Sequence, residues 1–213
     1  MIRALPITIS SSVTRMAPFF CPACGGDRVA LVHAGRRWVR VGPVGVLPWR
    51  GTDHHVTCIH CGTEHPAAAL DVLTSAELAD LLVEVAVATT VMTVRAGCRT
   101  DPGLRRRAVQ HIRTVQPAYH QADLDRDLAE LDPANVHRHV APLADALAAE
   151  GKEALVADMV KVALAAHTIT PHQRWLLEAT GHGLGLTPVH VTGIISAVAA
   201  AVEPAADDPA DRP

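Results

Sequence analysis

Cys21-Pro-Ala-Cys24-Gly25 and Cys58-Ile-His-Cys61-Gly62 are two copies of one device. Each C-x-x-C-G turn brings two thiols to the same side of a tight loop, and the glycine after the second cysteine supplies the positive φ such a turn needs. Together Cys21, Cys24, Cys58 and Cys61 make a four-thiolate set for one structural zinc ion per chain, with the tetrahedron closed and no position left for a reacting water. Four histidines crowd the second pair: His54, His55, His60 and His65. With the shell already filled by sulfur, they are expected to face solvent or to hydrogen-bond rather than to ligate. A closed site of this kind holds structure: it replaces the core that about fifty residues cannot build.

The elements around the cysteines follow from turn and strand signals. Arg28–His33 and Arg37–Val41 read as a hairpin about Ala34-Gly35-Arg36, and Asp53–Cys58 as a third strand. The stretch Gly42–Trp49, with prolines at 43 and 48, cannot be a central strand and reads as an apolar loop. Arg28, Arg36, Arg37, Arg40 and Arg50 with Trp38 and Trp49 are the residues a nucleic-acid face would use. The plainer reading is a small module solvated by arginines.

Composition separates this module from the rest. The 213 residues carry a net charge of −3 and are 49% hydrophobic, with 3 Trp, 1 Tyr and 2 Phe. A core built on Ala, Val and Leu favours closely packed helices over a sandwich. Residues 1–66 hold 7 Arg and 3 acidic residues; residues 67–213 hold 12 Lys or Arg and 19 acidic residues. The organisation expected is a zinc ribbon over 1–66, a linker over 67–73, an all-α bundle over 74–202 and a disordered Pro/Ala/Asp-rich tail over 203–213. The start lacks a signal-peptide pattern, which gives a cytoplasmic expectation, where paired cysteines stay reduced and bind metal.

Helix punctuation is explicit from Thr74 onward. Thr74-Ser-Ala-Glu77 and Thr170-Pro-His-Gln173 are capping boxes, and proline follows a capping residue at 133, 171 and 188. About seven helices are expected, over 75–95, 102–115, 121–131, 133–149, 152–167, 171–182 and 188–202. Gly181–Gly185 follows a helix rather than a strand, so it reads as a C-cap and turn, not a phosphate loop. Arg105, Arg106, Arg107 and Arg113 read as a solvated helix face. Cys98 is a lone free thiol.

Two stretches carry a resemblance. FFCPACGGDR with PVGVLPWRGTDHHVTCIHCGTEHP is similar to actinobacterial zinc ribbons whose knuckles are separated by a Pro-rich apolar loop. EALVADMVKVALAAHTITPHQRWLLEATGHGLGL resembles the TerB-like, tellurite-resistance family. That resemblance implies an all-α bundle of two related halves, a link to tellurite or chemical-stress responses, and peripheral membrane association through protein partners. It implies no catalytic activity. In that family an Asp-Gly loop and an early helical Glu furnish a divalent-cation site. Here Ala166-His167 and Gln173 stand in those slots, and in the first half Ala96-Gly97 and Gly103. Hard cations need carboxylate oxygens, so the acidic site is expected to be lost from both halves. His167 and His172 offer only two nitrogens for a softer replacement. The function expected is a non-catalytic zinc-binding interaction or scaffold protein in a stress response, with an unidentified protein partner. The alternative is a nucleic-acid-binding regulator that uses the basic ribbon.

Overall fold

The computed structural model describes residues 7–41, 44–166 and 168–202, with the backbone alone for 7–11, 36–41 and 44–53. It is mostly helical, with an N-terminal antiparallel sheet of four strands in the order β1-β2-β3-β4. The strands are β1 Ile7–Cys21, β2 Gly26–Val41, β3 Val44–Cys58 and β4 Glu64–Pro66. The α-helices are α1 Ser75–Ala96, α2 Pro102–Arg113, α3 Gln121–Glu130, α4 Val136–Val140, α5 Ala149–Ala163, α6 Pro171–Gly183 and α7 Pro188–Val202. The expected tail over 203–213 and His167 lie outside the described residues. Contacts divide the chain into two compact units, Met1–Ala79 and Asp80–Pro213.

The sheet differs from the sequence reading in three places. First, β1 was not anticipated, although Ile7-Thr-Ile-Ser alternates as a strand should. Second, Ala34-Gly35-Arg36 is no turn. β2 runs straight through it because both its edges are paired: Gly35 faces Ser11 on one side and Asp53 on the other. Third, Val44–Trp49 is strand, with Pro48 opposite Trp38. Proline is tolerated there because β4 pairs only with His55, Val56 and Thr57, so this part of β3 is a sheet edge among the described residues.

Alternation then sets the buried face of the sheet. Ala17, Phe19 and Cys21 from β1, Ala30 and Val32 from β2, and Val56 and Cys58 from β3 form one apolar cluster. Residues Ala67–Leu70 form a single 3-10 turn, and Ala69 and Leu70 pack against this cluster. The Thr74 capping box is made: Thr74 N–H donates to Glu77 Oε2 at 2.9 Å, and Glu77 N–H donates to Thr74 Oγ1 at 3.3 Å. Asp27, beside the first knuckle, accepts from Ser75 N–H at 2.9 Å and so holds the first turn of α1 to the hairpin.

In the helical unit, α1 is buried continuously from Ala88 to Val94. Such all-round burial marks a central helix. Thr89 and Thr93 lie inside it without cost, because each hydroxyl donates to the carbonyl four residues back, Val85 and Thr89 respectively, at 2.7 Å. Around it Leu104, Ala108 and Ile112 from α2, Leu124 and Leu128 from α3, Tyr119 and Val162 complete a core. The helix expected over 133–149 is instead a 3-10 turn, the short α4 and a second 3-10 turn at Ala141–Leu143. Pro142 has no N–H to donate and its ring obstructs the preceding turn, which stops α4. After Gly183, Leu186 N–H reaches back to Gly181 O at 2.8 Å with Gly185 at φ +78°, a glycine C-cap.

Candidate metal centre

The two knuckles are the turns at one end of the sheet. The first closes the β1–β2 hairpin, where Cys21 pairs with Gly26. The second joins β3 to β4, and Cys58 stands opposite Ala30. Each turn is made by a glycine in the left-handed region, Gly25 at φ +65° and Gly62 at φ +71°, as the C-x-x-C-G pattern requires. Gly25 N–H donates to Cys21 O and Gly62 N–H to Cys58 O, both at 2.9 Å. The repeated backbone bond aims both thiols of each turn the same way.

The four sulfurs converge. Their ligand atoms all lie within 4.8 Å of one another. Cys21 Sγ is 3.8 Å from Cys61 Sγ, and Cys24 Sγ is 4.0 Å from Cys58 Sγ. All four cysteines are free, without disulfides. Four sulfurs about 2.3 Å from a single ion stand about 3.8 Å apart along each tetrahedral edge, so the arrangement fits one thiolate-bound metal ion. Cys21 and Cys58 are buried against Phe19 and Val56, whereas Cys61 is exposed. The site is thus anchored on the core side and reached from the Cys61 side.

The environment prepares Cys61 for ionisation. Its sulfur lies 3.2 Å from Thr63 Oγ1. Hydrogen bonds from the Thr63 hydroxyl and then its backbone N–H lower the Cys61 thiol to about 6. Burial, reinforced by the neighbouring sulfurs of Cys61, Cys21 and Cys58, pushes Cys24 up to about 12. The Thr63 contacts thus favour the thiolate form of Cys61, the form in which a cysteine ligates a metal. The sequence reading missed Thr63. The only signal was its position, a hydroxyl two residues after the last cysteine of the pair.

The histidines divide. His65 places Nε2 3.6 Å from Cys21 Sγ, within reach of an N–H···S bond, and its ring tilts against Phe19 at 5.8 Å. His65 is thus a neighbour that offsets thiolate charge, with four sulfurs already filling the tetrahedron. His54 and His60 are exposed. His55 stacks on His33 across β2 and β3, rings parallel within 2° and 4.6 Å apart, and His33 Nε2 lies 3.1 Å from Thr57 Oγ1. The side chains of Arg36, Arg37, Trp38, Arg40, Trp49 and Arg50 lie outside the described residues.

Among the described residues, the four cysteines are the one group of three or more His, Cys, Asp or Glu side chains close enough to share an ion. In the helical unit, Gln173, which stands in a slot that the resemblance assigned to a cation ligand, has another occupation. Gln173 is buried and bridges two backbones: its Oε1 accepts from Thr170 N–H at 3.0 Å and its Nε2 donates to Thr93 O at 3.2 Å. Asp101 caps α2, accepting from Leu104 N–H at 2.6 Å. His172 is exposed beside Arg95, Ala96, Gly97, Pro133 and Trp175. Cys98 is an exposed free thiol 3.5 Å from Thr100 Oγ1. No helix among the described residues is long and apolar enough to cross a membrane. No protein-family model, curated protein or solved structure matches this chain.

Proposed function

We propose that this protein is a non-catalytic scaffold in which one zinc ion, held by Cys21, Cys24, Cys58 and Cys61, fixes the sheet module while the helical unit engages a protein partner. The observation that carries the reading is the spacing of the four sulfurs, 3.8 Å and 4.0 Å across two of the tetrahedral edges. Zinc is the ion preferred by a four-thiolate tetrahedron, and with four protein ligands it has no site for substrate or water. Bound there, zinc would supply cohesion: it ties the β1–β2 turn to the β3–β4 turn in place of a larger apolar core. The resemblance to TerB-like proteins supplies the context, a tellurite or chemical-stress response in the cytoplasm.

Metal analysis after mild chelation tests the site, with close to one zinc per chain expected. Cys24→Ser or Cys58→Ser should release zinc and unfold the sheet module. Full zinc occupancy in a Cys21→Ser/Cys61→Ser double variant refutes the ligand set. Affinity capture from the native host, followed by nuclease treatment, tests the role. Protein partners retained after nuclease support the scaffold, whereas salt-dependent nucleic-acid binding without them overturns it.

A further inference from the structure

The helical unit holds a groove that the scaffold reading does not use. One face of α2 and its C-cap presents Arg107, Gln110, His111 and Thr114, spaced so that successive turns bring them into line. Lys161 and Val162 of α5 form the other wall, and the cavity between them is about 300 Å³. That volume lies at the small end of ligand sites, about 300–1,000 Å³. Val162 is buried and makes an apolar floor.

The Thr114 hydroxyl at the groove donates to His111 O at 2.7 Å, but the side chains of Arg107 and His111 are uncommitted among the described residues. Arg105 is bound to Asp125, and Arg113 Nε donates to Tyr119 O at 2.8 Å. Arg107, between them in sequence, has no hydrogen-bond or ion-pair partner among the described residues, and neither ring nitrogen of the half-buried His111 has one. Lys161 Nζ donates to Asp158 at 2.8 Å, which leaves two of its N–H groups free. A planar guanidinium, an ammonium and an imidazole facing one small cavity match the oxygens of a tetrahedral anion.

We propose that this groove binds a phosphate or sulfate group, with Arg107 and Lys161 supplying charge and His111 and Gln110 supplying further hydrogen bonds. His111 makes the site pH-dependent. The charged groups facing it are Asp158 and Lys161 from α5 and Arg107 from its own helix. Burial holds His111 below the usual imidazole range; Asp158 pulls it up, while Lys161 and Arg107 push it down. A bound anion adds negative charge and raises it, so the proton and the anion bind together.

Sulfate is the probe of choice because it does not titrate near neutrality. The full zinc-loaded chain would be titrated with sodium sulfate, against sodium chloride at equal ionic strength, and followed by amide chemical shifts. Sulfate should give saturable shifts over residues 107–114 and 158–162 that chloride does not. Affinity should rise as pH falls, by up to about tenfold per pH unit while the free ring is neutral and the bound ring charged. Arg107→Gln should weaken binding at least tenfold, Arg106→Gln should leave it unchanged, and His111→Asn should flatten the pH dependence, all with unaltered circular dichroism. A parallel titration with phenyl phosphate separates the sources of the group. Affinity equal to sulfate supports a free anion, and tenfold tighter binding supports a phosphorylated small molecule. Shifts that fail to saturate, or an Arg107→Gln variant that binds as the parent does, overturn the proposal.

Discussion

Replacing Gln173 by Glu changes one atom in a buried network, and the consequence follows from that atom. Gln173 is 1% exposed. Its amide nitrogen donates to Thr93 O, and its amide oxygen accepts from Thr170 N–H. The Thr170 hydroxyl in turn accepts from Gln173 N–H at 3.1 Å and donates to Ala96 O at 3.2 Å, which ties the start of α6 to the end of α1. In Gln173→Glu an ionised carboxylate turns an oxygen toward Thr93 O, while a protonated one donates to it and restores the bond. Burial alone raises a carboxyl by up to about 3–5 units. The α6 N-terminus and the Thr170 N–H favour the anion and take back about one unit. The net rise of about 2–4 units corresponds to about 3–4 kcal/mol lost at pH 7.5. Because the folded pKa is raised, the variant keeps its stability below the unfolded value of about 4.3 and loses it as pH climbs toward the folded value. Urea unfolding followed at 222 nm, at pH 5 and pH 7.5 and always against the parent at the same pH, measures the difference. Gln173→Leu removes the same bonds without a titrating group, so its deficit should not vary with pH. A Gln173→Glu deficit under about 1 kcal/mol at pH 7.5, or one equal at both pH values, would refute the reasoning.

Further outcomes follow from the same geometry. A Cβ on Gly181 would stand 2.3 Å from Val191 Cγ2, so Gly181→Ala should cost about 1–3 kcal/mol in urea unfolding, partly restored by Val191→Ala. Tyr119, the single tyrosine, is buried and donates to Asp127 Oδ2 at 2.7 Å. Burial, then that bond and the Asp127 charge, raise its phenol well above the usual range, so absorbance at 295 nm should show no ionisation near pH 10 until the helical unit unfolds. The raised value also means that the phenol's contribution is complete below about pH 10 and is lost above it. Calcium, magnesium or manganese at millimolar levels should leave the helical melting temperature unchanged, whereas a bound cation at a hundredfold excess over Kd would add about 2.7 kcal/mol. A fragment starting at Asp71 should keep its helical signal at 222 nm without zinc, and loss of that signal would show that the helices depend on the sheet module.

What the sequence determined was whatever chemistry is local. The C-x-x-C-G turns were legible because two thiols and a left-handed glycine act within five residues, and Gly25 and Gly62 have the backbone the motif demands. Thr74 with Glu77 and Thr170 with Gln173 were legible for the same reason, since a capping box closes over three positions. Tertiary structure decided the rest, because pairing energy comes from partners far along the chain. Ala34-Gly35-Arg36 has the local character of a turn, yet two flanking strands satisfy its backbone and hold it extended. The same distance hid the role of Gln173, whose carbonyl partner lies 80 residues away, and the groove that sets Arg107 and His111 against Lys161. Spacing within a chain fixes which groups one turn brings together; only packing of buried faces fixes which turns meet.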